Sequence, residues 1–160
     1  MMVAAASAKL LDGYMLDTTE FNAVAKGHVP ISAFAGRRLF ATHVQLDELD
    51  KTPCEQLRAE LRASFQEVAA ERLPTESAVF DVSRRDQAKW PANDSVFDKM
   101  FASLEARDKT SEKRHLNRLC DILIAETAIR NGLILVSGDA NLRAVTIEFG
   151  GCAIERAQWS

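Results

Sequence analysis

Acidic residues close the apolar runs of this chain in a pattern that can do chemistry. Asp17 follows the short run Gly13 to Leu16 (GYML), and Asp139 follows Leu133 to Val136 (LILV) through Ser137 and Gly138. Open parallel sheets bind ligands at the carboxyl ends of their strands, near the point where strand order reverses. If these two runs are neighbouring strands, Asp17 and Asp139 converge on one crevice. A third acid, Asp121, sits in a helical pattern from Leu116 to Arg130. At about 100° per residue, Asp121, Ala125 and Ala128 share a face flanked by Ile122, Ile124 and Ile129. Glu126 and Arg130, spaced i and i+4, are expected to face solvent on the other side. A carboxylate on an apolar stripe is costly unless it is hydrogen-bonded, neutralised or bound to a cation. The alternative for Asp121 is a helix-capping role. A fourth acid comes from the stretch HVQLDELDKT, where Glu48 lies about one helical turn past the second apolar run, while Asp47 and Asp50 read as a solvated acidic face.

Positioning these acids requires a regular frame, and the sequence supplies one. Strand candidates are Gly13 to Leu16, Leu39 to Thr42, Ala78 to Val82, Leu133 to Val136 and Cys152 to Ile154. Between them run helical patterns: one capped by Asp17, Thr18 or Thr19, then Val44 to Asp50, Cys54 to Glu71, Ser95 to Arg107, Leu116 to Arg130 and Ala140 to Phe149. Asn131-Gly132 is a helix C-terminal signal. Strands separated by helices need crossovers, which give a parallel sheet covered by helices on both faces. The uninterrupted apolar run LILV suits a strand buried on both sides. No internal repeat or long linker divides the chain, so residues 1–160 are expected to form a single α/β domain, with 73–115 its least regular part.

Composition narrows the classes. At 160 residues, 47% hydrophobic and 27% charged, the chain needs neither metal nor disulfide to fold. Its 20 basic and 23 acidic residues give a net charge of −3, so nucleic acid must be met by a local patch rather than a global field. Cys54, Cys120 and Cys152 are odd in number and scattered, as expected of free thiols in a reducing compartment. No apolar run approaches the ~20 residues that span a bilayer. The start MMVAAASAKLL has no basic residue before its apolar stretch and no long apolar core after it, unlike a signal peptide, so a cytoplasmic location is expected.

The segment Asp121 to Asp139, DILIAETAIRNGLILVSGD, resembles the PIN-domain nucleases, especially the VapC-type toxins of toxin–antitoxin pairs. The matching positions are Asp121, Ile124, Ala125, Gly132, Ser137 and Asp139. Met15-Leu16-Asp17-Thr18-Thr19 is similar to the family's Leu-Asp-Thr-Asn start, with Thr19 in place of the Asn and Asn22 as a possible substitute for it. Glu48-Leu49 is similar to the family's Glu-Leu pair. The resemblance implies strand order 3-2-1-4-5, a homodimer and a small antitoxin that silences the site. It also implies RNA as substrate.

Four converging carboxylates repel one another, and a divalent cation relieves that conflict. An all-oxygen donor set without His or Cys suits Mg²⁺ or Mn²⁺ rather than zinc. The chemistry expected is hydrolysis of RNA phosphodiesters. Asp17, Asp121 and Asp139 are the expected metal ligands, Glu48 would position or deprotonate a water, and Thr18 and Ser137 would hold the carboxylates by hydrogen bonds. Substrate phosphates would be met by Lys113, Arg114 and Arg118, in the basic cluster before Asp121 that also holds Lys109 and His115. Further basic stretches are Arg84, Arg85 and Lys89 with Trp90, and Arg37 with Arg38. His28, His43 and His115 stand alone and read as surface or packing residues. Competing readings are a stand-alone PIN nuclease of RNA processing, a silent PIN-like scaffold binding RNA or protein, and a phosphoacceptor domain using Asp81. The last lacks paired acids after the first strand and a Lys after VSGD.

Overall fold

The computed structural model describes residues 13–34, 36–68, 71–75, 96–108 and 115–159. Its strands are β1 (Tyr14–Leu16), β2 (Leu39–Ala41), β3 (Glu71–Arg72), β4 (Ile134–Val136) and β5 (Cys152–Ile154). Its helices are α1 (Thr18–Ala25), α2 (His43–Asp50), α3 (Glu55–Val68), α4 (Val96–Arg107), α5 (His115–Arg130) and α6 (Ala140–Glu148), with short 3₁₀ turns at Ile31–Phe34 and Arg156–Trp159. All pairings are parallel and the order is β3-β2-β1-β4-β5, the order the resemblance implies. Tyr14, Met15 and Leu16 lie opposite Ile134, Leu135 and Val136.

Strand alternation divides the core. Met15, Phe40 and Leu135 point to one face, where they pack with Met100 and Leu104 of α4, Ile122 to Ala125 of α5, and Leu142 and Val145 of α6. Leu16, Ala41 and Val136 point to the other, against Phe21 of α1, Leu46 and Leu49 of α2, and Leu61 and Phe65 of α3. The Phe21 and Phe65 rings sit 5.1 Å apart, centroid to centroid. Each such large side chain contributes about 1.5–3 kcal/mol by leaving water. From β1 the chain passes to β2 on one side, and from β4 to β5 on the other. The strand order therefore reverses between β1 and β4, and in open parallel sheets the carboxyl ends of such strands are where ligands bind.

Two local devices set those strands in place. Gly132 adopts φ +69°, and after it Leu133 N–H donates to the Ala128 carbonyl (2.8 Å) while Gly132 N–H donates to that of Ile129 (3.1 Å). This is the Schellman closure that Asn131-Gly132 announces, and it turns α5 directly into β4. At the opposite corner α2 is capped by Thr42, whose hydroxyl accepts from Val44 N–H, while Gln45 Oε1 accepts from Thr42 N–H (2.9 Å).

Two expectations are corrected. The strand beside β2 is Glu71–Arg72, so Glu71 belongs to the sheet and not to helix α3 (Glu55–Val68); Ala78 to Val82 lies outside the described residues. Glu71 and Arg72 are both exposed at the sheet's edge, with Arg38 clasping Glu71 at 3.1 Å, so no apolar run marks them. The second correction is Glu126, which is only 1% exposed although the helical pattern assigned it to solvent. Helix α5 packs against α2, α4, α6, β1 and β4, so its middle is buried all round. Arg130 neutralises the buried carboxylate at 3.3 Å.

Candidate active site

Asp17 ends β1 and caps α1. Its backbone N–H continues the ladder to the Val136 carbonyl (3.0 Å), which fixes the residue beside the end of β4. The side chain is 4% exposed. Oδ1 accepts from Thr18 N–H (2.8 Å), and Oδ2 accepts from Thr19 Oγ1 (3.4 Å) and Ser137 Oγ (2.8 Å). Ser137 does double duty: the same Oγ accepts from Asp139 N–H at 3.1 Å. Asp139 in turn caps α6, its Oδ1 accepting from Asn141 N–H (2.9 Å) and Leu142 N–H (3.2 Å). One buried hydroxyl thus ties the acid after β1 to the acid after β4, as expected of neighbouring strands.

The remaining acids lie on α2 and α5. Asp121 lies six positions past the residue that opens α5, in the middle of the helix, so a capping role is excluded; it is 7% exposed. Glu48 is half-buried on α2, which packs on α5. Both carboxylates act on the buried Cys120 thiol, which is pushed up from 9.0 to about 12, first by burial and then by Glu48, with Asp121 adding to it. Among the described residues no three His, Cys, Asp or Glu side chains form a group compact enough to hold a metal ion. The donor set still suits a hard cation in kind, because Mg²⁺ keeps several waters and uses one or two carboxylates plus substrate phosphate instead of an all-protein cage.

Supporting residues differ in detail from expectation. Thr18 serves Asp17 through its backbone N–H, while its buried hydroxyl has no hydrogen-bond partner among the described residues. Thr19 occupies the position where the resembling family has Asn and keeps a hydroxyl contact with Asp17, whereas Asn22 donates to the Thr18 carbonyl. Arg118, expected to meet substrate phosphates, is 13% exposed and directed to the buried Asp108, Nε to Oδ2 at 3.4 Å. Lys113 and Arg114 lie outside the described residues, as do Lys109, Arg84, Arg85, Lys89, Trp90 and Asp81. Arg37 and Arg38 sit at the amino end of the sheet, Arg38 carbonyl accepting from Tyr14 N–H, away from the acids.

Several positioning residues were not singled out from sequence. Gln45 is fully buried and its Nε2 donates to the Leu16 carbonyl (3.0 Å), holding the end of β1 immediately before Asp17. The spacing Thr42-x-x-Gln45 is a capping-box signal that could have found it. Arg143, one turn after Asp139, donates to the Ser137 carbonyl (2.8 Å) and to Glu155 (2.7 Å). Asp108 accepts from Asn141 Nδ2 at 2.6 Å, tying the end of α4 to the first turn of α6. Glu20, one turn into α1, is buried and pairs with Arg156 at 2.7 Å. Its carboxyl is held above the usual value of 4.5 by burial, against the lowering effect of Arg156 and with a smaller rise from Asp17.

No described helix is long and apolar enough to cross a membrane. No protein-family model matches the chain, and no curated protein matches it significantly. Among solved structures, the chain is similar to VapBC-5 of Mycobacterium tuberculosis, a member of the VapBC family of toxin–antitoxin systems, at 21% identity and TM-score 0.43, over 91% of this chain and 98% of that one. It is also similar to FitAcB of Neisseria gonorrhoeae at 12% identity and TM-score 0.40, over 90% of this chain and 98% of that one.

Proposed function

We propose that this chain is an Mg²⁺- or Mn²⁺-dependent endoribonuclease, the toxin of a toxin–antitoxin pair. The observation that carries the reading is the Ser137 bridge, which joins Asp17 and Asp139 across the carboxyl ends of β1 and β4 at the crevice where such folds bind ligands. Asp121 supports it: a carboxylate kept buried in mid-helix suits a place where a cation offsets its charge. Asp17, Asp121 and Asp139 would hold the cation directly or through water, and Glu48 would orient a water and accept its proton. When bound, the cation supplies positive charge at the scissile phosphate and lowers the pKa of coordinated water. The protein's own part is to keep these oxygens aligned: Ser137 and Thr19 hold Asp17, the first turn of α6 holds Asp139, and Gln45 and Arg143 pin the backbone on either side. The small antitoxin, the homodimer and the choice of RNA rest on the sequence resemblance around Asp121 to Asp139.

Purified protein is expected to cleave single-stranded RNA with Mg²⁺ or Mn²⁺ and to stop when EDTA removes the ion. Titration calorimetry without RNA is expected to show weaker Mn²⁺ binding in Asp121→Asn. Expressed alone in a bacterial host, the chain is expected to arrest growth, with relief by Asp17→Ala. EDTA-resistant cleavage would overturn the metal role, and unimpaired growth at high soluble expression would overturn the toxin role.

A further inference from the structure

A site built from acids has to bring a polyanion close to itself, and among the described residues the cations singled out from the sequence are engaged elsewhere: Arg118 pairs with Asp108, and Arg37 and Arg38 lie at the far end of the sheet. Two other guanidinium groups lie at the carboxyl edge: Arg143, 17% exposed, gives its two terminal nitrogens to the Ser137 carbonyl and Glu155, whereas Arg156 keeps more of its surface open. Arg156 opens the 3₁₀ turn two residues after β5, the strand whose Ile154 carbonyl accepts from Ser137 N–H at 3.1 Å. From there its Nη1 reaches Glu20 Oε2 at 2.7 Å. Glu20 stands in the first turn of α1, where its N–H donates to the Asp17 carbonyl at 3.0 Å. Arg156 therefore extends from β5 to within one helical turn of Asp17. Its side chain remains 35% exposed, while that of Glu20 is 4% exposed.

This pairing is unequal in a way that suits binding. A buried carboxylate fixes one nitrogen of a planar five-donor group, and the exposed remainder is a ready fork for a phosphate oxygen. Held in place beforehand, such a group loses little freedom on meeting its ligand. Resting on the nuclease reading, we propose that Arg156, positioned by Glu20, is the anchor for one RNA phosphate next to Asp17. Arg156 contributes to binding the strand, and the bond-breaking chemistry stays with the acids.

The test compares single-turnover cleavage of a single-stranded RNA oligonucleotide in Mn²⁺ over a series of KCl concentrations. Because removing Arg156 alone strands a buried carboxylate, the main variant is Glu20→Gln with Arg156→Gln, which removes both charges at nearly constant volume. Its half-saturating protein concentration is expected to rise about tenfold, the worth of one charge-assisted hydrogen bond. The slope of log affinity against log salt is expected to fall by roughly 0.7, and the rate at saturation to stay within about twofold. Arg156→Lys, which keeps the charge, is expected to retain the slope. Unchanged half-saturation and slope in a folded double variant would overturn the proposal, as would a fall in saturated rate with half-saturation unchanged. Absence of RNA cleavage by the unmodified protein would instead overturn the nuclease reading itself.

Discussion

Replacing Ser137 by Ala removes one oxygen that serves two partners, and the structure sets the size of the effect. The bond to Asp17 Oδ2 is buried and charge-assisted at 2.8 Å, and the bond from Asp139 N–H is neutral at 3.1 Å. Bonds of the first kind contribute roughly 1.5–3 kcal/mol and of the second about 0.5–1.5 kcal/mol, so Ser137→Ala is expected to lose about 2–4 kcal/mol of stability. With a urea dependence of about 2 kcal/mol per molar, the unfolding midpoint drops by roughly 1–2 M. On the nuclease reading, cleavage is expected to fall further than stability alone explains, because Asp17 and Asp139 lose their common tether; loss of such a supporting contact typically costs about 10–100-fold. Urea titration followed by circular dichroism gives the first number, and RNA cleavage under fully folding conditions gives the second. Ser137→Thr, which keeps the hydroxyl, should recover most of both. A Ser137→Ala protein within about 0.5 kcal/mol of wild type that cleaves RNA at the wild-type rate would refute the bridge as the element that organises the site.

Other outcomes follow from the same geometry. Burial holds the Cys120 thiol at about 12 against 9.0 unfolded, so the unfolded chain ionises first as pH rises and stability is lost above pH 9, by roughly 3 kcal/mol at pH 11; Cys120→Ala should flatten that limb of the pH–stability curve. Arg118→Ala should destabilise by about 2–3 kcal/mol, leaving the buried Asp108 without its cation, while the salt slope of RNA binding stays unchanged. A methyl group on Gly13 would meet the Arg38 carbonyl oxygen at 2.6 Å and the Phe40 ring at 2.7 Å, so Gly13→Ala should cost about 1–3 kcal/mol by thermal melt; Gly138→Ala, with nothing within 4 Å of the added carbon, should cost less than about 0.5 kcal/mol.

What could be read from the sequence is what local pattern encodes. The runs GYML and LILV sit in the two central strands, where burial on both faces leaves an uninterrupted apolar signal, and Asn131-Gly132 sits at the turn whose φ +69° it serves. Asp17 and Asp139 were legible for the same reason, since each follows such a run. The edge strand Glu71–Arg72 was not, because two exposed polar residues carry no period at all. Glu126 was misplaced because a helix buried on every side erases the amphipathic contrast used to orient it. Arg118, Asp108, Glu20 and Arg156 depend on contacts between residues 10 and 136 positions apart, and such partners become visible only when the chain has folded.

The central claim is that the acids joined at β1 and β4 cut RNA with a divalent cation. Its most direct test is single-turnover cleavage of a single-stranded RNA in Mn²⁺ by wild type and Asp139→Asn. Asparagine caps a helix about as well as aspartate, so the first turn of α6, and with it the fold, should survive with a melting temperature close to wild type. Only the negative charge is lost. The expected result is a folded Asp139→Asn protein whose cleavage is reduced by at least about a hundredfold at saturating Mn²⁺. Cleavage at the wild-type rate by that folded variant would contradict the assignment of this site.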